Sequence, residues 1–399
     1  MIAVVGPGLL AGLSDDDPAG ITTYSALGAS YGYQLLWVLL LSTIALVLFH
    51  GLAARLGVVT GQGSIGLVRQ RFGVGVAGLA LVVLLVANLG TTAAEFAGIA
   101  AGAELLGVPR WVGVPVAGVA ITAVVLRGSF HRVEHLLLAL GSVFVTYAVA
   151  AFLAHPDWGA AARGAVVPSF PLDHEALFLI TATVGTTLAP WGLTFIQSYA
   201  VDKRLTVADL RYERIDVVVG AVLTGIIGLF VIVACAATLH PSGVEIDSAA
   251  DAAVALEPLV GQFARTLFAV GLIGSAVLAA AILPLSTSYS ICEFVGTDAA
   301  LDDSFGEAKL FYLGYIVTAT MAMLIVLVPN VPLVAILVGT QALNAALLVP
   351  LLVLFRRVSR DEEIMGSFTA SAAQSVAYSV TIAFVAACVV GLAVLAVWA

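Results

Sequence analysis

Ser14-Asp15-Asp16-Asp17-Pro18-Ala19-Gly20 sets three carboxylates side by side, directly before a proline, between two long apolar runs. An ionised carboxylate near the centre of a bilayer costs about 2.5–3.5 kcal/mol on insertion scales, so such acids need a cation, water or a proton. On a continuous helix the three side chains would point about 100° apart. A break at Pro18 lets them be redirected into one polar cavity. The chemistry on offer is oxygen ligation of a hard divalent cation, since no Met, Cys or His stands at this break to supply a softer donor. Asp17, beside the proline, is expected to touch the ion, and Asp15 or Asp16 to hold water at the cavity rim. A place at the membrane interface, or pairing with another helix, is the competing reading for those two. Mg²⁺ keeps several of its waters and uses only one or two carboxylates, which suits small neighbours such as Ala19 and Gly20.

Other polar residues stand in apolar surroundings. Glu95, in "NLGTTAAEFAGIAAGAELLG", is either an ion relay or a structural acid satisfied by its neighbours. Thr340, Gln341 and Asn344 lie close on one helical face, placed either to hold ion-bound water or to join helices by hydrogen bonds. "PLSTSYS", at 284–290, reads as packing polarity. All six histidines (His50, His131, His135, His155, His174 and His240) are expected at span ends or in loops, which argues against a buried histidine proton relay. Cys235, Cys292 and Cys388 lie within apolar runs without pairing spacing, as small buried hydrophobes do. No phosphate-binding loop, dinucleotide fingerprint, zinc-protease motif, basic aromatic patch or nucleophile constellation is found, so neither an enzyme nor a nucleic-acid partner is expected. No resident cofactor and no obligate protein partner is implied.

The elements that must position these residues are transmembrane helices. The 399 residues are 61% hydrophobic and 10% charged, against about 25% charged in soluble domains. Apolar stretches long enough to cross a hydrocarbon core of about 30 Å recur along the whole chain. They predict eleven spans, at 2–28, 34–56, 75–105, 110–127, 133–154, 174–200, 215–239, 259–295, 309–328, 331–355 and 370–398. The expectation is an all-α polytopic membrane protein, 1–399 forming one transporter domain in the lipid bilayer. With the N-terminus inside, thirteen of the sixteen Lys and Arg residues fall in cytoplasmic loops and only Arg110, Arg163 and Arg265 outside. That bias puts the N-terminus in and, with an odd span count, the C-terminus out. The net charge of −9 carries no functional weight, because most acids sit in loops. The first run lacks a charged n-region and a cleavage site. It begins almost at Met1, so a further cytoplasmic tail is expected upstream.

A second proline break comes 172 residues after the first, where Ala189-Pro190-Trp191-Gly192 interrupts span 6. Each break opens a block of five spans, 1–154 and 174–355, with 370–398 an additional eleventh helix. An odd number of spans per block inverts the two halves, and interrupted helices at matching places in inverted halves point to a transporter's midplane ion site. Unwound backbone at that depth is tolerated where it lines a cavity, and half-helix carbonyl ends carry negative partial charge toward a cation.

The two breaks, with "GPGLLAGL", "YGYQLLWVLLLS", "TTAAEFAGIAAGAELLGVP" and "GTTLAPWGL", resemble the Nramp family of divalent-metal transporters over nearly the whole chain. The resemblance implies the leucine-transporter type of inverted 5+5 repeat, with helices 1 and 6 broken. The family's Asp-Pro-Gly-Asn reads here Asp17-Pro18-Ala19-Gly20, and its Met-Pro-His reads Ala189-Pro190-Trp191. Asp17 is thereby the metal-binding acid, with Ser14 and Thr186 as backbone-carbonyl ligands. The family's Asn becomes Gly20 and its thioether ligand Ala189, which removes a soft donor and makes room for water. Its proton-path Asp and His become Thr92 and Trp191, while its Glu persists as Glu95. The pattern looks like the prokaryotic branch of Nramp-related magnesium transporters, which implies Mg²⁺ and Mn²⁺ as transported substrates, partly hydrated and without proton coupling, in a prokaryotic plasma membrane. Asp15, Asp16, Thr187, Trp191, Gln341 and Asn344 are cavity or hydration-shell candidates. The alternatives are a proton-coupled Mn²⁺/Fe²⁺ symporter of the ordinary Nramp type and a sodium-coupled amino-acid symporter, against which the three aspartates argue.

Overall fold

Proline dictates where the key helices break. The residue before a proline is pushed out of the α region, while proline itself is preorganised for a helix's first turn. Asp17 is accordingly extended (φ −80°, ψ 170°), ending α1 (Pro7–Ser14) and starting α2 (Pro18–Tyr31). Ala189 does the same (φ −78°, ψ 143°) between α8 (His174–Thr187) and α9 (Pro190–Asp202). The computed structural model describes residues 7–126, 146–171, 173–246, 249–256, 261–297 and 305–398.

The remaining helices are α3 (Leu36–Thr60), α4 (Ser64–Leu105), α5 (Arg110–Leu126), α6 (Thr146–Leu153), α7 (Trp158–Val166), α10 (Leu210–Thr238), α11 (Ala249–Val254), α12 (Ala264–Val295), α13 (Lys309–Val326), α14 (Leu333–Ser359), α15 (Glu362–Met365) and α16 (Ala372–Trp398). Among the described residues eight helices, with α8 and α9 taken as one, are long and apolar enough to cross a membrane, and α5 is a shorter apolar helix. Most of the span expected at 133–154 lies outside the described residues, and α6 is its described end.

Two features depart from the expected spans. The helix expected from 75 begins at Ser64, because Gly73 (φ 85°, ψ 170°) supplies a turn that only glycine takes readily, and an extra helical segment precedes it. The connection after α6 contains α7, capped by Asp157, whose carboxylate accepts from the Ala160 N–H at 2.9 Å.

Small residues bring the helices close enough to place the breaks. A methyl on Gly98 of α4 would lie 2.4 Å from the Pro18 ring, so α4 runs directly against the first break. A methyl on Gly185 would lie 1.9 Å from the Gln341 carbonyl oxygen, so α14 runs directly against the end of α8.

Candidate ion site between the two broken helices

The α1–α2 break presents its acids to the protein interior. Asp15, Asp16 and Asp17 are all buried, which sets aside an interfacial position for the first two. Asp17 Oδ1 accepts the Gly20 N–H at 2.6 Å and caps α2. Neither carboxylate oxygen of Asp15 or of Asp16 has a hydrogen-bond partner. Glu95 is fully buried and close enough for its carboxyl and that of Asp17 to act on each other. No Lys or Arg forms an ion pair with any of these four acids among the described residues. Four buried carboxyls without a basic partner require protons, water or a bound cation.

The convergence of oxygens is tightest at Gly20. The point where a side chain would begin at this residue lies 2.8 Å from the Asp15 carbonyl oxygen, 3.2 Å from Asp17 Oδ1 and 3.3 Å from Thr186 Oγ1. A carbonyl, a carboxylate and a hydroxyl thus converge on Gly20, too close for any side chain to be added without a shift. Thr186 Oγ1 is buried and has no hydrogen-bond partner, so it is available to a ligand. Ser14 ends α1 and Ala189 precedes α9, and both are buried. The donor set is oxygen only, as hard divalent cations prefer.

The other candidates are placed less directly. The Thr187 hydroxyl donates to the Thr183 carbonyl at 2.8 Å and lies 2.9 Å from the Tyr24 hydroxyl. Thr92 donates to the Asn88 carbonyl of its own helix at 2.6 Å. Gln341 Nε2 donates to Thr340 at 3.2 Å, and Asn344 Nδ2 is shared between Thr91 (2.8 Å) and Gln341 Oε1 (3.0 Å). The Asn344–Thr91 contact joins α14 to α4, while Asn344 Oδ1 stays buried and unbonded. Trp191 is enclosed beside Phe195, at 6.3 Å between rings, and its carbonyl accepts from Thr194 (3.0 Å) and Ser286 (3.3 Å).

One residue at the site escaped sequence reasoning. Tyr24 is buried on α2 and joins the two broken helices through Thr187; its spacing of i, i+3, i+7 with Asp17 and Gly20 was the available signal. His50 corrects the expectation that every histidine lies at a span end or in a loop. It is buried within α3, neither ring nitrogen is hydrogen-bonded, and Nε2 lies 3.0 Å from where Gly192 would carry a side chain. The expected span stopped at 56, whereas α3 continues to Thr60, so His50 sits further from the helix end than hydropathy placed it.

Residues 8–395 match the family described as natural resistance-associated macrophage protein-like, Nramp. The chain belongs to this family. A divalent metal cation transporter, MntH, of Acidiphilium cryptum (strain JF-5) is 32% identical to this Nramp chain over 302 residues, covering 73% of the chain and 69% of that relative. The fold matches the crystal structure of the Eremococcus coleocola manganese transporter, with a TM-score of 0.81 at 18% identity over 96% of this chain and 84% of that one. It also matches Mhp1, a nucleobase-cation-symport-1 family transporter, with a TM-score of 0.57 at 15% identity over 98% and 91%. The fold is therefore shared beyond Nramp proteins.

Proposed function

We propose that this Nramp chain carries divalent cations, Mg²⁺ and also Mn²⁺, into a prokaryotic cell across its plasma membrane by alternating access. The observation that carries this reading is the oxygen-only cluster around Gly20, formed by Asp15, Asp17 and Thr186. Asp17 binds the ion, and Ser14 and Thr186 offer backbone carbonyls. The short side chain of Ala189 leaves room for retained waters, each occupying about 30 Å³, and Asp15, Asp16, Thr187, Trp191, Gln341 and Asn344 are candidates to contact that hydration shell. A methionine at 189 would add a thioether that favours softer ions; alanine leaves none. A membrane potential of 100 mV is worth about 2.3 kcal/mol per charge, so a divalent ion is drawn inward without a coupled proton.

The test is uptake into proteoliposomes loaded with a magnesium dye and a pH dye under a negative-inside potential. Mg²⁺ entry without internal acidification is the expected result. Acidification in step with metal entry would favour a second reading, a proton-coupled Mn²⁺/Fe²⁺ symporter. That reading draws support from Glu95 beside Asp17.

A further inference from the structure

Away from the ion site, α3, α10 and α16 enclose a cavity of about 630 Å³. Its mouth is lined by Arg55 of α3 and by Arg211 and Arg214, which share a face of α10. None of the three is ion-paired among the described residues. Arg55 donates to two neutral groups of α16, Gln374 Oε1 at 3.2 Å and the Tyr378 hydroxyl at 3.4 Å, and its buried Nε has no partner. The wall also holds one carboxylate, Glu213, buried and without a hydrogen bond. Three guanidiniums against one carboxylate leave the mouth positive.

The inner wall of this cavity is apolar. Val47, Leu48 and Gly51 line it, and Val47 stands about 12 Å below Arg55 at 1.5 Å per residue. The same face of α3 continues away from Arg55 through Leu40, Leu41 and Ile44, all exposed at 41–49%. On α10 the wall residue Val218 leads on to the exposed Val222 and Ile226. A charged mouth therefore opens onto two apolar stripes that face the bilayer. A free inorganic anion would use only the mouth; a phospholipid uses both.

We infer that this cavity binds an anionic phospholipid, with its phosphate on Arg55, Arg211 and Arg214 and one acyl chain along the stripe from Gly51 to Leu40. Basic pockets between transmembrane helices take anionic headgroups in this way, and each arginine donates in the planar geometry that suits phosphate oxygens.

The purified full-length protein in neutral detergent is titrated with dioleoylphosphatidylglycerol, dioleoylphosphatidylcholine or inorganic phosphate, reading bound lipid by native mass spectrometry and the melting temperature. Phosphatidylglycerol is expected to bind at least about tenfold more tightly than phosphatidylcholine, equal to about 1.4 kcal/mol, and inorganic phosphate to leave the melting temperature unchanged. The triple variant Arg55→Gln, Arg211→Gln, Arg214→Gln should lose that preference. Gly51→Phe keeps all three arginines and projects into open space, since nothing lies within 4 Å of a methyl at Gly51; it should weaken phosphatidylglycerol binding by filling the groove. Equal binding of the two lipids, a preference that survives the triple variant, or unchanged affinity in Gly51→Phe would each overturn the assignment. Stabilisation by inorganic phosphate equal to that by phosphatidylglycerol would make the mouth a free-anion site instead.

Discussion

At the scale of single residues, the site is defined by what is small as much as by what is charged. Gly20→Ala places a methyl 2.8 Å from the Asp15 carbonyl oxygen, closer than real carbon–oxygen contacts allow, so the break must shift. We expect at least a tenfold fall in Mg²⁺ uptake with the protein still folded, read in proteoliposomes beside a melting curve. Asp17→Ala removes both the expected ligand and the cap of α2, worth about 1 kcal/mol. Uptake should be abolished, and near-normal flux would remove Asp17 from the ion path. Ala189→Met adds a thioether at the second break and should shift preference toward Mn²⁺ in competition uptake; an unchanged Mg²⁺/Mn²⁺ ratio would mean that selectivity resides elsewhere.

At the scale of elements, the ends of the broken helices must be held until the ion is bound. On the arginine-rich side α9 is tied to its neighbours by a buried network. Glu293 at the end of α12 accepts from the Ile65 N–H of α4 at 2.9 Å and from the Ser198 hydroxyl of α9 at 2.5 Å. Gln197 bridges to Gln62 (3.0 Å) and Ser64 (3.1 Å), and Tyr289 donates to Asp202 at 2.6 Å. Hydrogen bonds contribute about 0.5–1.5 kcal/mol each, so Glu293→Ala should favour separation of α9 from α4 and α12. Cys292, buried beside Glu293 in a cavity of about 260 Å³, offers the readout. With Cys235 and Cys388 replaced by serine, maleimide labelling of Cys292 should accelerate by about tenfold or more. An unchanged rate would show that Glu293 does not restrain this end.

At the scale of the whole molecule, the expected spans put thirteen basic residues on one side against three on the other, and from that bias we propose an inside N-terminus and an outside C-terminus. A phosphatase fused to Ala399 should be active only if the C-terminus faces outward, and a fluorescent protein fused there should then be dark; the opposite pair of results would reverse the topology. Much of the frame was legible in advance, because hydropathy reports membrane depth and an X-Pro step reports a break, both local properties. The expected spans and the helices agree closely for 309–328 and 370–398, which α13 and α16 occupy. They part at Gly73, where one glycine's left-handed backbone adds a helical segment that hydropathy does not register.

Sequence by itself determined that the chain is a bundle of membrane helices, that two of them break before Pro18 and Pro190, and that the donors at the breaks are oxygens. Each follows from residue type within a few positions. Tertiary structure decided which groups meet: Thr186 at Gly20, Tyr24 at Thr187, Asn344 at Thr91 and His50 at Gly192. These pairs are separated by between 142 and 253 residues, or depend on how far a helix runs past its hydropathy limit. They are set by the rotation and close approach of helices packed through glycine, which no local pattern encodes.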